Sequence, residues 1–114
     1  MDVTLDTRNV AVPPTYKSRL ARRVSSFFIR FDHSVRRLHV TLKDVNGPRG
    51  GKDKVCQMNI ELTDGNQIIV QERSNRFVRA MGLCTKRARN LVARQIKKKR
   101  PKRIAIKREL AFAD

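Results

Sequence analysis

The sequence has few acidic residues, and none of them lies between Glu72 and Glu109. Against 10 Asp and Glu it carries 27 Lys and Arg, which gives a net charge of +17. Such an excess of one sign repels the folded chain from itself, so it indicates a negatively charged partner. Nucleic acid is the first candidate, and an anionic membrane surface is the second.

Long apolar runs are also missing. The apolar clusters are short, such as Phe27-Phe28-Ile29, whereas a membrane-spanning helix needs roughly 20 apolar residues. The first residues, Met1 to Thr4, form no charged-then-apolar signal region, and neither end carries a lipidation motif. These observations weaken the membrane interpretation, and we expect a cytoplasmic protein.

Patterns typical of catalytic and metal sites are absent from the sequence. Cys56 and Cys84 do not form a CxxC pair, and both are expected to be buried, reduced thiols. His33 and His39 have no partner at metal-ligand spacing. Residues 46–52 lack the spacing of a phosphate-binding loop and are predicted to be a flexible hairpin loop. We therefore expect no enzyme, no metal and no cofactor.

Four short stretches alternate between apolar and polar residues, as strands with one buried face do. Asp64-Gly65, between the last two stretches, is a strong signal for a tight hairpin turn. The residues predicted to face inward are Val3, Leu5 and Thr7, then Leu38, Val40 and Leu42, then Cys56, Met58, Ile60 and Leu62, and finally Ile68 and Val70.

Two other stretches place apolar residues at helical spacing. The first helix is predicted from Thr15 to Phe31, with Thr15 able to cap its start. The second helix is predicted to follow Ser74 as its N-cap and to reach about Arg100, because Pro101 ends it. The apolar stripes are Tyr16, Leu20, Val24, Phe27 and Phe31 in the first helix, and Phe77, Met81, Cys84, Ala88, Leu91 and Gln95 in the second.

The resulting order, β-α-β-β-β-α, predicts one α+β domain. A helical crossover makes the first two strands parallel, and short turns make the later strands antiparallel. Both helices are expected side by side on one face of this four-stranded mixed sheet. The α-β-β-β-α part of the order also occurs in double-stranded-RNA-binding domains, which makes the predicted fold similar to theirs. Residues 1–100 are predicted to form the binding domain, and residues 101–114 a flexible basic tail.

The basic residues of the two helices are predicted to bind RNA. A solvated helix face normally mixes charges of both signs, whereas the second helix carries basic residues only. Arginine, which forms paired hydrogen bonds with phosphate and stacks on unpaired bases, outnumbers lysine in the helices. The candidate RNA-binding residues are Arg19, Arg22, Arg23, Arg30, Arg76, Arg79, Lys86, Arg87, Arg94, Lys97 and Lys98.

Four stretches carry a resemblance to a known family. They are the end of the first helix with Arg23-Val24 and Phe31, the run Val40–Gly51, the strand Lys54–Ile60, and the helix start Arg79-Ala80-Met81. In order and spacing they resemble the ribosome hibernation-promoting factor family, also called the ribosome-associated inhibitor A or sigma-54 modulation protein family. The run Asn-Gly-Pro-Arg-Gly-Gly followed by Asp-Lys-x-Cys is similar to its short members.

The resemblance implies a monomeric inhibitor of translation that binds ribosomal RNA of the small subunit. In the channel between head and body, such proteins overlap the sites of messenger and transfer RNA. Residues 1–100 would then be the ribosome-binding domain. Arg23, Arg87 and Arg94 match basic positions of the family, whereas Ser26 and Asn90 stand where other members often have Lys or Arg.

Two other functions stay open at this point. The chain is also consistent with a general binder of structured RNA or double-stranded nucleic acid that has no preference for ribosomes. A regulator that acts through a protein partner is the third candidate, and the older sigma-54 name of the family agrees with it.

Overall fold

A computed structural model describes residues 1–45 and 53–113, and the side chains as far as Lys98. The elements are β1 (Asp2–Arg8), α1 (Pro14–Phe27), a 3-10 turn (Ile29–Phe31), β2 (Val35–Asp44), β3 (Lys54–Leu62), β4 (Gln67–Ser74) and α2 (Phe77–Ala113). The predicted order β-α-β-β-β-α is confirmed, with the 3-10 turn as an addition. The loop predicted at 46–52 lies outside the described residues.

The four strands form one sheet in the order β1-β2-β3-β4. β1 runs parallel to β2 because α1 carries the chain back across the sheet, and the other pairs are antiparallel. The register aligns Leu5 with Val40, Val40 with Met58, and Met58 with Val70, so the inward residues form a continuous row. Gly65 has a φ of +92° in the β3–β4 turn, which confirms the hairpin predicted there.

Both helices pack on the same face of the sheet. Leu20 and Val24 from α1, and Phe28 directly after it, share one buried cluster with Cys84 and Val92 from α2. The same cluster contains the inward residues of β2, β3 and β4, whereas β1 contributes half-buried residues at its edge. The predicted α+β architecture with two helices on one face is therefore confirmed, and it leaves the outer faces of the helices to solvent.

The start and end of α1 differ from the prediction. α1 begins at Pro14 without a side-chain cap, so Thr15 does not cap it. α1 ends at Phe27, and the 3-10 turn that follows winds more tightly than an α-helix. Phe28 is fully buried and Phe27 is 40% exposed, because Phe28 lies four residues after Val24 and continues the buried row. Tyr16, 45% exposed, lies outside this row.

Both ends of α2 also differ from the prediction. Ser74 belongs to β4, and α2 begins at Phe77, so Ser74 is not the N-cap. The prediction that Pro101 ends the helix is wrong, because α2 continues to Ala113. A proline in a helix removes a hydrogen bond, at a cost of about 3 kcal/mol relative to alanine. The long stretches of good helix formers on both sides of Pro101 maintain the helix in spite of this cost.

Candidate nucleic-acid interface

All eleven basic residues predicted to bind RNA are exposed. Arg19, Arg22 and Arg23 lie on α1, Arg30 lies in the 3-10 turn, and Arg76 directly precedes α2. The remaining six are on α2, namely Arg79, Lys86, Arg87, Arg94, Lys97 and Lys98. Because regular helices carry nearly all of these cations, their relative positions are held by the core and depend little on loops.

A groove of about 570 Å³ separates the 3-10 turn from α2. Four cations line it, Arg30 from the turn and Lys86, Arg89 and Lys97 from α2, and we call it the basic groove. The complete lining, which includes no acidic residue among the described residues, is Arg30, Phe31, Ser34, Lys86, Arg89, Asn90, Ala93, Ile96 and Lys97. Phosphate or another anion is thus the favoured occupant by charge.

The α2 side of the basic groove is a single helical row. Lys86, Arg89, Ala93 and Lys97 are three or four residues apart, so they lie above one another on one side of the helix. Arg89 is half-buried there and was missing from the predicted set of RNA-binding residues. Its spacing of three residues from Lys86 indicated that the two side chains share one side of α2. The sequence did not indicate that this side of α2 faces α1.

Arg30 is held at the opposite wall of the basic groove by an aromatic ring. Its guanidinium carbon lies 5.8 Å from the centroid of the Phe31 ring, within the range of a cation–π contact. Phe31 is half-buried and packs against the core. The turn after α1 therefore positions one arginine across from the α2 row.

A second set of arginines consists of Arg87 and Arg94, on another side of α2, and Arg76, which directly precedes the helix. They are 11 and 7 residues apart, close to whole helical turns, and we call them the outer row. Nη1 of Arg87 donates a hydrogen bond of 3.2 Å to Oε1 of Glu72 in β4. α1 lies over β1 at the other edge of the sheet. The outer row thus borders β4, and the basic groove borders α1.

The remaining arginines of α1 are placed differently. Arg22 lines a separate hollow of about 400 Å³ between α1 and β1, together with Met1, Val3 and Ile29. The structure brings Arg30, which follows α1, opposite Lys86, Arg89 and Lys97 of α2. Contact of each of these residues with RNA stays a prediction.

Lys54, the first residue of β3, has two acidic partners. Its ammonium donates a hydrogen bond to Asp44 and lies 3.8 Å from Oδ2 of Asp53, which is buried. The hydrogen bond to Asp44 raises the pKa of Lys54. Lys54 also lies 5.5 Å from the centroid of the Phe77 ring. It joins the base of the β2–β3 connection to the start of α2.

The other polar and sulfur groups have local partners. His39 bridges two residues of β1, since Nδ1 is 2.6 Å from Oγ1 of Thr4 and Nε2 is 3.1 Å from Oδ2 of Asp6. Cys56 and Cys84 are free and buried, as predicted. Their mutual hydrogen bond and their burial raise the pKa of Cys56 far above its ordinary value. The thiols thus contribute to packing between β3 and α2.

Among the side chains that the structure describes, those of residues 1–45 and 53–98, no three from Cys, His, Asp or Glu are grouped so that they could hold a metal ion. The helices of this part of the chain include none long and apolar enough to cross a membrane.

Comparison with solved structures identifies the fold. A ribosomal subunit interface protein from Coxiella burnetii superposes with a TM-score of 0.66 and 17% sequence identity, over 85% of this chain and 99% of that protein. The N-terminal domain of Protein Y from Thermus thermophilus gives a TM-score of 0.65 and 18% identity, over 82% of this chain and 98% of that domain. The chain has the fold of these two proteins.

The resemblance read from the sequence, to the hibernation-promoting factor family, is confirmed at the level of this fold. No family model matches the sequence, and no curated protein matches it either. The two superpositions cover nearly the whole of both neighbours, so the chain shares their complete domain.

Proposed function

We propose that this chain is a non-enzymatic inhibitor of translation that binds ribosomal RNA of the small ribosomal subunit and occludes the sites of messenger and transfer RNA. It acts as a monomer in the cytoplasm, where ribosomes translate. The observation that carries the proposal is the exposed basic surface of α1, the 3-10 turn and α2, which carries all eleven predicted RNA-binding residues and includes a groove lined by four cations. The fold shared with a ribosomal subunit interface protein supports the choice of partner.

The charges favour a polyanion with a fixed shape. Cations on helices whose inner faces are buried keep a constant spacing, and such a surface selects phosphates at matching positions. Among the described side chains, which reach Lys98, none beyond Ile96 packs against the buried cluster that holds the helices in place. The proposal therefore assigns selectivity to the cations of α1, the 3-10 turn and α2 as far as Lys98, and it assigns to the cations of residues 101–114 a contribution to affinity alone.

Sedimentation with purified small subunits at physiological salt tests the proposal. The protein should pellet with the small subunit, and its absence from that fraction would overturn the proposal. Charge reversal at two outer-row positions, Arg87→Glu with Arg94→Glu, should weaken co-sedimentation about tenfold or more. The matched control is Arg8→Glu with Arg73→Glu, which changes the net charge equally on the opposite face of the sheet and should leave binding nearly intact.

Competition separates this proposal from a general binder of structured RNA. Initiator transfer RNA and messenger bound to the small subunit should displace the protein if it occupies the channel. A general binder would instead show similar affinity for subunits and for random RNA duplex, and would not be displaced. Salt does not distinguish the two, because both lose affinity with a slope of about −0.7 to −0.9 per phosphate neutralised.

A further inference from the structure

The basic groove differs from the rest of the cationic surface, because it is concave and has apolar as well as charged walls. Phe31 and Ile96 contribute apolar surface, Asn90 contributes an amide, and the four cations stand around them. A surface that only neutralises phosphates needs no apolar wall. From this combination we propose that the basic groove seats one unpaired nucleotide, with its phosphate among the cations and its base against the apolar wall.

The volume of the groove fits this occupant. About 570 Å³ lies within the range of roughly 300–1,000 Å³ that sites for small ligands occupy. A duplex presents its bases paired and stacked inside, so from a duplex only the backbone would reach the cations. An unpaired base can turn outward and enter a cleft, as in most sequence-specific recognition of RNA.

The walls supply each interaction that a nucleotide requires. Arg30, held 5.8 Å from the Phe31 ring centroid, presents a guanidinium plane on which a base can stack. Lys86, Arg89 and Lys97 stand on the facing helix at intervals that follow its turns and can hold phosphate oxygens. The amide of Asn90, exposed between them, can donate to and accept from the edge of a base.

This inference deepens the proposed function, because it rests on RNA binding by the same surface and names the form of RNA that enters the groove. The same chemistry is presented by a free nucleotide and by an unpaired position within an RNA strand. The experiment therefore includes both sources.

The test uses the full chain and an RNA oligomer of ten residues that contains one 2-aminopurine. Fluorescence anisotropy reports binding, and the fluorescence of 2-aminopurine reports whether its base is stacked. The oligomer is offered as a single strand and as a duplex, and AMP and ATP are titrated as competitors. The single strand should bind more tightly than the duplex, with a change in 2-aminopurine fluorescence.

Variants connect that signal to the groove. Arg89→Gln with Lys97→Gln removes two positive charges from it, and affinity for the single strand should fall about tenfold with loss of the 2-aminopurine signal. Arg8→Gln with Arg73→Gln removes the same charge from the other face and should reduce affinity less than threefold with the signal retained. All four positions are polar and lie at the surface or half-buried, so circular dichroism should show an unchanged fold.

Displacement of the single strand by AMP or ATP at micromolar concentration would assign the groove to free nucleotides, and resistance to both would assign it to a position in an RNA strand. Preference for the duplex, or equal losses in the groove and control variants, would overturn the inference. If the single strand is seated but the protein fails to sediment with small subunits, the proposed function is wrong and the nucleotide groove stands. If the protein sediments with small subunits but does not seat the single strand, the inference about the groove is wrong and the proposed function stands.

Discussion

At the scale of single residues, Glu72 is an acidic partner of Arg87, one of the three arginines of the outer row. Its carboxylate accepts the hydrogen bond of Arg87 at 3.2 Å, with 27% of the Glu72 side chain and 62% of the Arg87 side chain exposed. Exposed ion pairs of this kind stabilise a fold by only about 0.2–1 kcal/mol. The main effect of Glu72 is therefore on any phosphate that competes for Arg87.

Glu72→Gln should strengthen binding to RNA by a few-fold, because the guanidinium of Arg87 no longer shares its donors with a carboxylate. Thermal unfolding should change little, in line with the small contribution of an exposed pair. The measurement is the dissociation constant for small subunits or for an RNA oligomer at constant salt.

The matched control for this prediction is Glu61→Gln. Glu61 pairs with Arg36 at 3.6 Å and with Arg37 at 4.0 Å, beside the open face of the sheet. Glu61→Gln changes the net charge by the same amount as Glu72→Gln, so it measures the effect of net charge alone on the affinity for RNA. Equal gains in affinity from both variants would show that Glu72 has no local role.

Phe27 and Phe28 are adjacent, but they make opposite contributions to stability. Phe28 is completely buried in the cluster shared by both helices and the sheet, whereas Phe27 is 40% exposed. Phe28→Ala should lower the free energy of unfolding by about 3–5 kcal/mol through a cavity and lost burial. Phe27→Ala should cost less than about 1 kcal/mol. Urea unfolding of the two variants checks the difference, and equal losses would contradict the assigned position of α1.

At the scale of elements, α2 is much longer than the part of it that the core requires. Among its side chains that the structure describes, which reach Lys98, Val92 is the last buried one and half-buried Ile96 is the last to pack against the cluster. The helix nevertheless continues to Ala113, about 25 Å further at 1.5 Å per residue. The part of α2 that packs against the core and stabilises the fold is therefore much shorter than the helix itself.

Pro101→Ala should make the distal part of α2 more helical and leave the core unchanged. Alanine restores the missing amide donor and is favoured over proline by about 3 kcal/mol in a helix interior. The ellipticity at 222 nm should become more negative, while the thermal midpoint stays the same. Lys99→Ala serves as the control, since it replaces one good helix former by another. A shift of the midpoint in Pro101→Ala alone would mean that the distal helix contributes to the core.

The strands were predictable from the sequence because their signals are local. Alternation from Leu38 to Leu42 and the turn at Asp64-Gly65 fix faces and a hairpin without knowledge of the rest of the chain. The ends of the helices were not predictable in this way. Whether Phe27 or Phe28 continues the buried row depends on the rotation of α1 about its own axis on the sheet, and the start of α2 depends on the length of β4.

The same distinction applies to the candidate interface. Single cations such as Arg30 and Lys97 were predictable from charge and helical spacing. The basic groove was not, because it exists only once α1 and α2 adopt their rotation about their own axes on the sheet. Arg89, for which the sequence gives only a position on the helix, lines the groove because its side of α2 faces the 3-10 turn.

At the scale of the whole molecule, most of the charge belongs to the part that folds on the sheet. Residues 101–114 contain four basic and two acidic residues, so 15 of the 17 net positive charges lie within residues 1–100. The proposed binding surface, formed by α1, the 3-10 turn and α2 as far as Lys98, lies entirely within residues 1–100.

A chain that ends at Arg100 should therefore fold and bind small subunits. Its unfolding midpoint should equal that of the full chain, because the buried cluster, as far as the side chains are described, includes none beyond Ile96. Its affinity should be weaker by a factor that shrinks as salt rises. The slope of log K against log salt is negative, and its magnitude should decrease by at most about 0.7–0.9 for each phosphate that the removed cations neutralise. Sedimentation at three salt concentrations measures both quantities. Loss of binding at every salt concentration would show that residues 101–114 recognise the subunit themselves. Selectivity would then belong to residues 101–114 and not to the cations within residues 1–100.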